Sequence, residues 1–277
     1  MSKRSEEGSH TVAEKRLEIG LCMPPPGAAL AERMVEAGCE YYEPTVARAL
    51  MEHSAEAFDA SLDAWSEGGL SPRSANVLLP GDLKVVGEAV DTDRLQQYFA
   101  EAMRRANALG IERVVFGSGG AREVPEGFSR ERAEHQLRDV AVMVAESAGD
   151  IIICLEHLRR AETNILNSLA ESGAMAAALN RPNIKLVVDG YHLAEEHEDV
   201  GVVKQVADYI AHVHVCGPAR RPPGAEDHGA LTALFSQLAD IGYRGRCSIE
   251  CHFEHLEAEA PAALAAVRHA AEVTGLR

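Results

Sequence analysis

The six cysteines, at 22, 39, 154, 216, 247 and 251, include no C-x-x-C pair. That absence removes the common thiolate zinc and dithiol redox motifs. Cys22, Cys154, Cys247 and Cys251 fall within or beside apolar runs. Reduced thiols in a cytoplasmic protein are therefore expected. No apolar stretch approaches the roughly 20 residues that a membrane span needs. The opening segment, MSKRSEEGSHTVAEKR, has no apolar core of a signal peptide. Residues 1–14 read as a loose tail before a single catalytic domain over 15–277. Positive charge is scarce: 27 Lys and Arg stand against 43 Asp and Glu, for a formal net charge of −16. A surface of that sign repels phosphate backbones and argues against a nucleic-acid partner. The turn after the first apolar run reads MPPPG and lacks the dinucleotide-binding fingerprint.

What the chain does contain is a regular alternation of short apolar runs and helical patterns. Runs at 17–23, 39–44, 74–80, 112–118, 151–156, 184–189, 211–215 and 247–251 read as strands. Helical stretches are expected near 27–37, 54–66, 92–109, 129–148, 164–179, 200–207, 230–241 and 258–273. Ser129 fits an N-cap, and Gly38, Gly110 and Gly242 fit positions just past helix ends. Strict alternation implies a parallel sheet. Eight units and 277 residues match one closed α/β (β/α)8 TIM barrel, which typically takes about 250 residues.

Four of the later strands end in metal-binding groups. Glu156 ends IIICLE, Asp189 ends IKLVVD, His214 lies in AHVHV and Glu250 ends RCSIE. In a parallel barrel the carboxyl ends of all strands open on one face, where active sites are built. The fold would therefore gather these four around one point. Three carboxylates and an imidazole suit a hard or borderline divalent ion such as Mn²⁺, Mg²⁺ or Co²⁺. A carboxylate ending a buried strand must be ligated or paired, and an ion pair with a neighbouring Arg or Lys is the plainer reading. Asp189 can instead cap the following turn. His212 and His214 share a strand face, so one of them can be mere packing. Glu43, ending the second run, suits either a pocket or a supporting position. GSGGAR at 117–122 is a tight turn that lets substrate approach, or an anion cradle aided by Arg122.

With these residues in place, the sequence resembles the xylose isomerase-like superfamily of sugar isomerases and epimerases. The densest likeness runs from 150 to 252 and is nearest to the D-tagatose and D-psicose 3-epimerase group. It rests on E-x5-E at Glu156 and Glu162, D-x-x-H at Asp189 and His192, and H-x-H with Arg six residues on, at His212, His214 and Arg220. The S-I-E strand carrying Glu250 completes the set. The resemblance implies one divalent metal, Mn²⁺ first and Mg²⁺, Co²⁺ or Zn²⁺ as alternatives, on Glu156, Asp189, His214 and Glu250. It implies that Glu156 and Glu250 form the acid/base pair of a ketose or keto-sugar epimerase or isomerase. The reaction would remove a proton beside the carbonyl and pass through an enediolate at the metal. His192 and Arg220 would hold carbonyl-side oxygens, although Arg221 competes with Arg220. Glu162 would bind a hydroxyl, the plainer alternative being helix capping with Asn164 as the cap. His252 stands where the pattern usually has an aromatic residue. The resemblance also implies a homo-oligomer, a dimer or tetramer. The same barrel hosts dehydratases of inosose- or dehydroshikimate-like keto-polyols, endonuclease IV-like nucleases and non-catalytic binding barrels. The nuclease is disfavoured, because the third and fourth strand ends, NVLLPG and VVFGSG, lack histidine.

Overall fold

The computed structural model describes residues 16–276, so the tail expected at 1–14 lies outside the described residues. Eight strands form one parallel sheet: β1 (Glu18–Cys22), β2 (Tyr41–Glu43), β3 (Ser74–Ala75), β4 (Arg113–Phe116), β5 (Ile152–Glu156), β6 (Ile184–Asp189), β7 (Ile210–Val215) and β8 (Arg246–Ile249). Their order is β2-β1-β8-β7-β6-β5-β4-β3. Isolated parallel bridges, Tyr42 to Pro72 and Thr45 to Asn76, join the two ends of that order and nearly close the ring. The strands are continuous apolar runs because both faces are covered, which is the signature of a parallel sheet.

Among the described residues, ten α-helices lie between and after the strands. They are α1 (Ala28–Glu36), α2 (Ala55–Ala60), α3 (Thr92–Ala108), α4 (Gly119–Arg122), α5 (Arg130–Ser147), α6 (Leu169–Leu179), α7 (Gly190–Glu195), α8 (Val202–Gln205), α9 (His228–Asp240) and α10 (Leu256–Thr274). Ser129 caps α5 as expected, its side chain accepting from Arg132 N. Among the described residues no helix is long and apolar enough to cross a membrane.

Strand alternation sorts the side chains into an outer layer under the helices and an inner column. Leu155, Leu186, Val188, Val213 and Ile249 belong to the main apolar core. Val115, Cys154 and Val187 form a separate small cluster inside the ring. Below that cluster the inner column turns ionic. Arg246 is 4% exposed and reaches Glu18 at 2.7 Å and Glu112 at 3.0 Å. Above it, four strands each bring a buried polar residue to the inner face: Glu43, Glu156, Asp189 and His214. The nearly closed ring thus separates an ionic floor from a polar mouth.

Four expected elements differ. The third strand stops at Ala75, because Val77 has φ +46°, a left-handed conformation that no pleated strand accommodates. The helix expected at 54–66 splits into α2 and a kinked 3-10 stretch, Leu62–Gly69, broken at Gly68 with φ +67°. A π-helical turn, Val46–Leu50, precedes it. The helix expected at 164–179 begins at Leu169, capped by Ser168. Asn164 instead uses both ends of its amide on the backbone of Val124, at 2.8 and 2.9 Å, so it caps nothing. The helix expected at 200–207 shrinks to α8, while α7 starts directly after β6.

Candidate metal centre and substrate cleft

One donor atom from each of Glu156, Asp189, His214 and Glu250 lies within 4.8 Å of all the others. The four residues come from the mouth ends of β5, β6 and β7 and the position just past β8. Glu250 stays in register there, its N–H donating to Val215 O at 3.0 Å. His214 Nδ1 is 3.6 Å from Glu156 Oε1 and 3.7 Å from Glu250 Oε2. Two buried donor atoms of this set, Asp189 Oδ2 and His214 Nδ1, have no hydrogen-bond partner among the described residues. Buried polar atoms are rarely left so, and these two face one point. Burial pushes Glu156 up, with the Glu250 charge adding to the shift against the pull of His214. Burial, then the Glu250 charge, pushes Asp189 up to about 6. Burial also acts upward on Glu250, but His214 and Arg220 outweigh it and hold its carboxyl below the usual range. Crowded carboxylates with one shared focus are electrostatically costly alone and become favourable around a divalent cation. Three oxygens and one nitrogen fit such an ion.

Asp189 serves as both cap and candidate ligand. Its Oδ1 accepts the backbone N–H of Tyr191 at 2.7 Å and of His192 at 3.3 Å, starting α7. Its Oδ2 is left for the cluster. The turn reading and the ligand reading therefore describe two oxygens of one carboxylate.

Glu43 lies inside the barrel and discriminates the two histidines. Its oxygens meet His212 Nε2 at 2.7 Å and His214 Nε2 at 2.9 Å. Ser248 Oγ also donates to Glu43, at 2.5 Å, and Tyr41 Oη is 2.7 Å from that hydroxyl. Gly20 makes room for this: a Cβ there would stand 2.6 Å from the Tyr41 ring. Burial acts upward on Glu43, yet the two imidazoles dominate and hold it well below the usual carboxylate range. By accepting from Nε2–H, an ionised Glu43 would leave Nδ1 of His214, the atom facing the other three ligands, for a cation. His212 sits one layer deeper and reaches only Glu43 and Ser248. A second group, Cys22, Glu43 and His214, also lies close together, but the Glu43 oxygens already accept three donors.

Positive groups border the cluster on one side. Arg220 donates to Glu250 Oε2 at 2.7 Å and reaches Glu162 Oε1 at 3.4 Å. Arg221 turns away and pairs with Asp227 at 2.7 Å, so of the two it is Arg220 that reaches the cluster. His192 is fully buried; its Nδ1 accepts the Arg159 N–H at 3.2 Å. Its Nε2 lies 3.1 Å from Arg220 Nη2, and a neutral ring accepts from only one of these two N–H groups at a time. Glu162 receives Arg159 and Arg220 on Oε1, and no cap is involved.

Three contributors were not singled out from sequence. Asn76 donates to Glu250 Oε1 at 2.9 Å; the only sequence signal was an amide inside the apolar run SANVLLP. Arg159 orients both Glu162 and His192. Gly117 underlies Glu156: a Cβ at Gly117 would lie 1.9 Å from Glu156 Oε2. The 117–122 turn is therefore tight because a carboxylate rests on it. Arg122 is 1% exposed beneath the turn, out of reach of an anion at the surface, and burial lowers it to about 10.

A family model described as xylose isomerase-like TIM barrel matches residues 31–273. D-psicose 3-epimerase of Ruminiclostridium cellulolyticum is 31% identical over 123 residues, 43% of this chain and 40% of that protein. L-ribulose 3-epimerase of Mesorhizobium japonicum is 29% identical over 198 residues, 66% of this chain and 65% of that protein. The matched part is thus under two thirds of either relative's length. The crystal structure of a 3-keto-D-glucoside 4-epimerase from E. coli superposes with a TM-score of 0.75 at 19% identity, covering 92% of this chain and 100% of that one.

Proposed function

We propose, on the premise that this chain belongs to the xylose isomerase-like TIM barrel family, that it is a metal-dependent epimerase or isomerase of ketoses and keto-sugars. The observation that carries this reading is the focus of Glu156, Asp189, His214 and Glu250 on one point at the barrel mouth. Relatives named D-psicose and L-ribulose 3-epimerases support the reaction class. A divalent ion held there, Mn²⁺ by preference, would act as a Lewis acid and spread the charge that develops on a substrate carbonyl oxygen.

The chain's own groups account for the proton traffic. Glu156 and Glu250 stand three strand positions apart in a ring of eight, nearly across the barrel from each other. One carboxylate takes the proton from the carbon beside the carbonyl. The C–H electron pair becomes the C=C bond of an enediolate, and the carbonyl π pair moves to oxygen. The other carboxylate returns a proton to the opposite face, which inverts the centre. Asn76 and Arg220 fix the Glu250 oxygens, and the Gly117 turn seats Glu156. His192 and the Arg220 guanidinium hold the oxygens next to the reacting carbon. Glu162 has Oε2 available to accept from a substrate hydroxyl.

The test is a calorimetric Mn²⁺ titration beside product analysis by NMR over a panel of ketoses and keto-glycosides. One Mn²⁺ per chain is expected, weakened in Asp189→Asn. Turnover is expected to vanish in Glu156→Gln and Glu250→Gln. Turnover that survives chelation, or survives both Gln variants, would contradict the reading. Loss of water instead of inversion would move the protein to the lyases of the same fold.

A further inference from the structure

The cleft over the metal cluster has two lobes. The polar lobe, about 470 Å³, is lined by Glu156, Arg159, Glu162, Arg220 and His252. A second lobe, about 530 Å³, opens on the other side of Glu250 and is walled by Met23, Pro24, Ala49 and Trp65, with Thr45 and Arg48 toward its edge. Glu250 and Val77 line both lobes. Each lobe alone has the volume of a small-molecule site, roughly 300–1,000 Å³. The first gathers the charged and polar groups Glu156, Arg159, Glu162, Arg220 and His252 beside the apolar Val77 and Leu158. The second sets the buried Met23 and Trp65, each 6% exposed, beside the buried Glu43 and Asn76 and the less buried Thr45 and Arg48. A mere solvent entrance to the metal would not need a buried indole and thioether as its walls.

Val77 is the hinge point between the lobes. It is β-branched, adopts φ +46° and still keeps 38% of its surface exposed. Such strain persists only where the surroundings enforce it, and it concentrates at functional sites. Here the enforcement is visible: Ala47 N–H donates to Val77 O at 3.1 Å and Val46 N–H to Asn76 O at 2.8 Å. These bonds tie the strained residue to the π-helical turn that carries Ala49 and Arg48. π-turns recur at functional sites too. The local backbone thus presents an apolar side chain to the cleft directly beside Glu250.

We propose that the substrate is a two-part molecule, a keto-sugar carrying a glycosidically linked second ring. The keto unit lies in the polar lobe at the metal cluster, and the second ring lies between Val77, Met23 and Trp65. A ring with an apolar face and polar edges matches a lobe that sets an indole and a thioether beside hydrogen-bonding groups. This rests on the metal-dependent epimerase reading above and narrows it, because a free ketohexose would leave the second lobe unused.

The experiment compares the Mn²⁺-loaded protein on D-fructose and on the 3-keto derivative of 4-nitrophenyl glucoside. Wild type is expected to favour the glycoside in kcat/KM at least tenfold. Ala49→Phe, which narrows the second lobe, is expected to cut that preference by roughly 10- to 200-fold, mainly through KM. Equal use of both compounds, or an equal loss on both in the variant, would overturn the proposal while leaving the epimerase reading standing. If neither compound turns over, the epimerase reading rests on the wider panel of ketoses and keto-glycosides, and the second lobe is judged by binding alone. Calorimetry should then still show 4-nitrophenyl glucoside bound by wild type and weakened in Ala49→Phe and Val77→Gly. No binding, or binding indifferent to both variants, would overturn the proposal by itself.

Discussion

Gly117→Ala is a one-methyl test of where Glu156 sits. The added Cβ would lie 1.9 Å from Glu156 Oε2 and 3.1 Å from its carboxyl carbon. A relaxed carbon–oxygen contact needs well over 3 Å, so the carboxylate must swing aside by more than an ångström. The backbone itself tolerates alanine, because Gly117 is absent from the positive-φ positions. The clash falls on the far end of a flexible side chain, which can rotate away, so folding should survive with a cost of about 1–3 kcal/mol at most. The site should not survive unharmed. A misplacement of about 1 Å at a reacting group costs on the order of 100-fold, or about 2.7 kcal/mol of transition-state stabilisation. The assay is kcat/KM on the best substrate together with Mn²⁺ affinity by calorimetry, with circular dichroism as the folding check. Gly120→Ala is the matched control, since its Cβ meets only Gly81 Cα at 3.6 Å. A folded Gly117→Ala protein with kcat/KM within threefold of wild type would refute the placement of Glu156.

Other outcomes follow from the same geometry. Mn²⁺ at 100 times its Kd should stabilise the fold by about 2.7 kcal/mol. That corresponds to a Tm rise of roughly 5–10 °C for a domain of this size. EDTA should reverse the rise, and His214→Ala should abolish it; an unchanged Tm would argue against a metal centre. Glu43→Gln removes the acceptor that fixes the His214 tautomer and should weaken Mn²⁺ binding by about 10- to 100-fold, as read by competition with a chelating dye. At the barrel floor, burial acts upward on Glu112, but Arg246 and Arg73 outweigh it and lower its carboxyl. Its contribution is therefore present above the unfolded carboxylate range near 4.3 and is lost as pH falls toward the folded value. Glu112 is 46% exposed, so solvent screening limits the effect to about 1 kcal/mol or less. Glu112→Gln should flatten the acid side of the stability–pH curve in urea titrations, and an unaltered slope would exclude that role.

The barrel and its mouth were legible because two periodicities coincide. β-branched runs such as IKLVVD announce buried parallel strands, and a carboxylate closing such a run must be ligated or paired, as Glu250 is paired with Arg220. The β6 bounds, Ile184–Asp189, match the expected run end to end. What stayed hidden depends on contacts between distant segments. Glu43 looked like any strand-end acid until β2 and β7 faced each other across the ring and His212 and His214 closed on it. Asn76 showed no motif, because its partner Glu250 is 174 residues away. Val77 sits in an apolar run that propensity reads as strand, yet the chain turns left-handed there to serve the cleft. Asn164 had the right chemistry for a cap but spends its amide on the Val124 backbone. Local rules fail at these positions because tertiary contacts, concentrated around the site, outweigh local preference.

Proton abstraction beside a carbonyl is the central claim, and solvent deuterium tests it most directly. The Mn²⁺-loaded protein is incubated with each ketose or keto-glycoside in D₂O and followed by NMR. The account predicts deuterium at the carbon next to the carbonyl, dependent on the metal and lost in Glu156→Gln and Glu250→Gln. Product that forms without deuterium at that carbon, or exchange that persists in both variants, would contradict it.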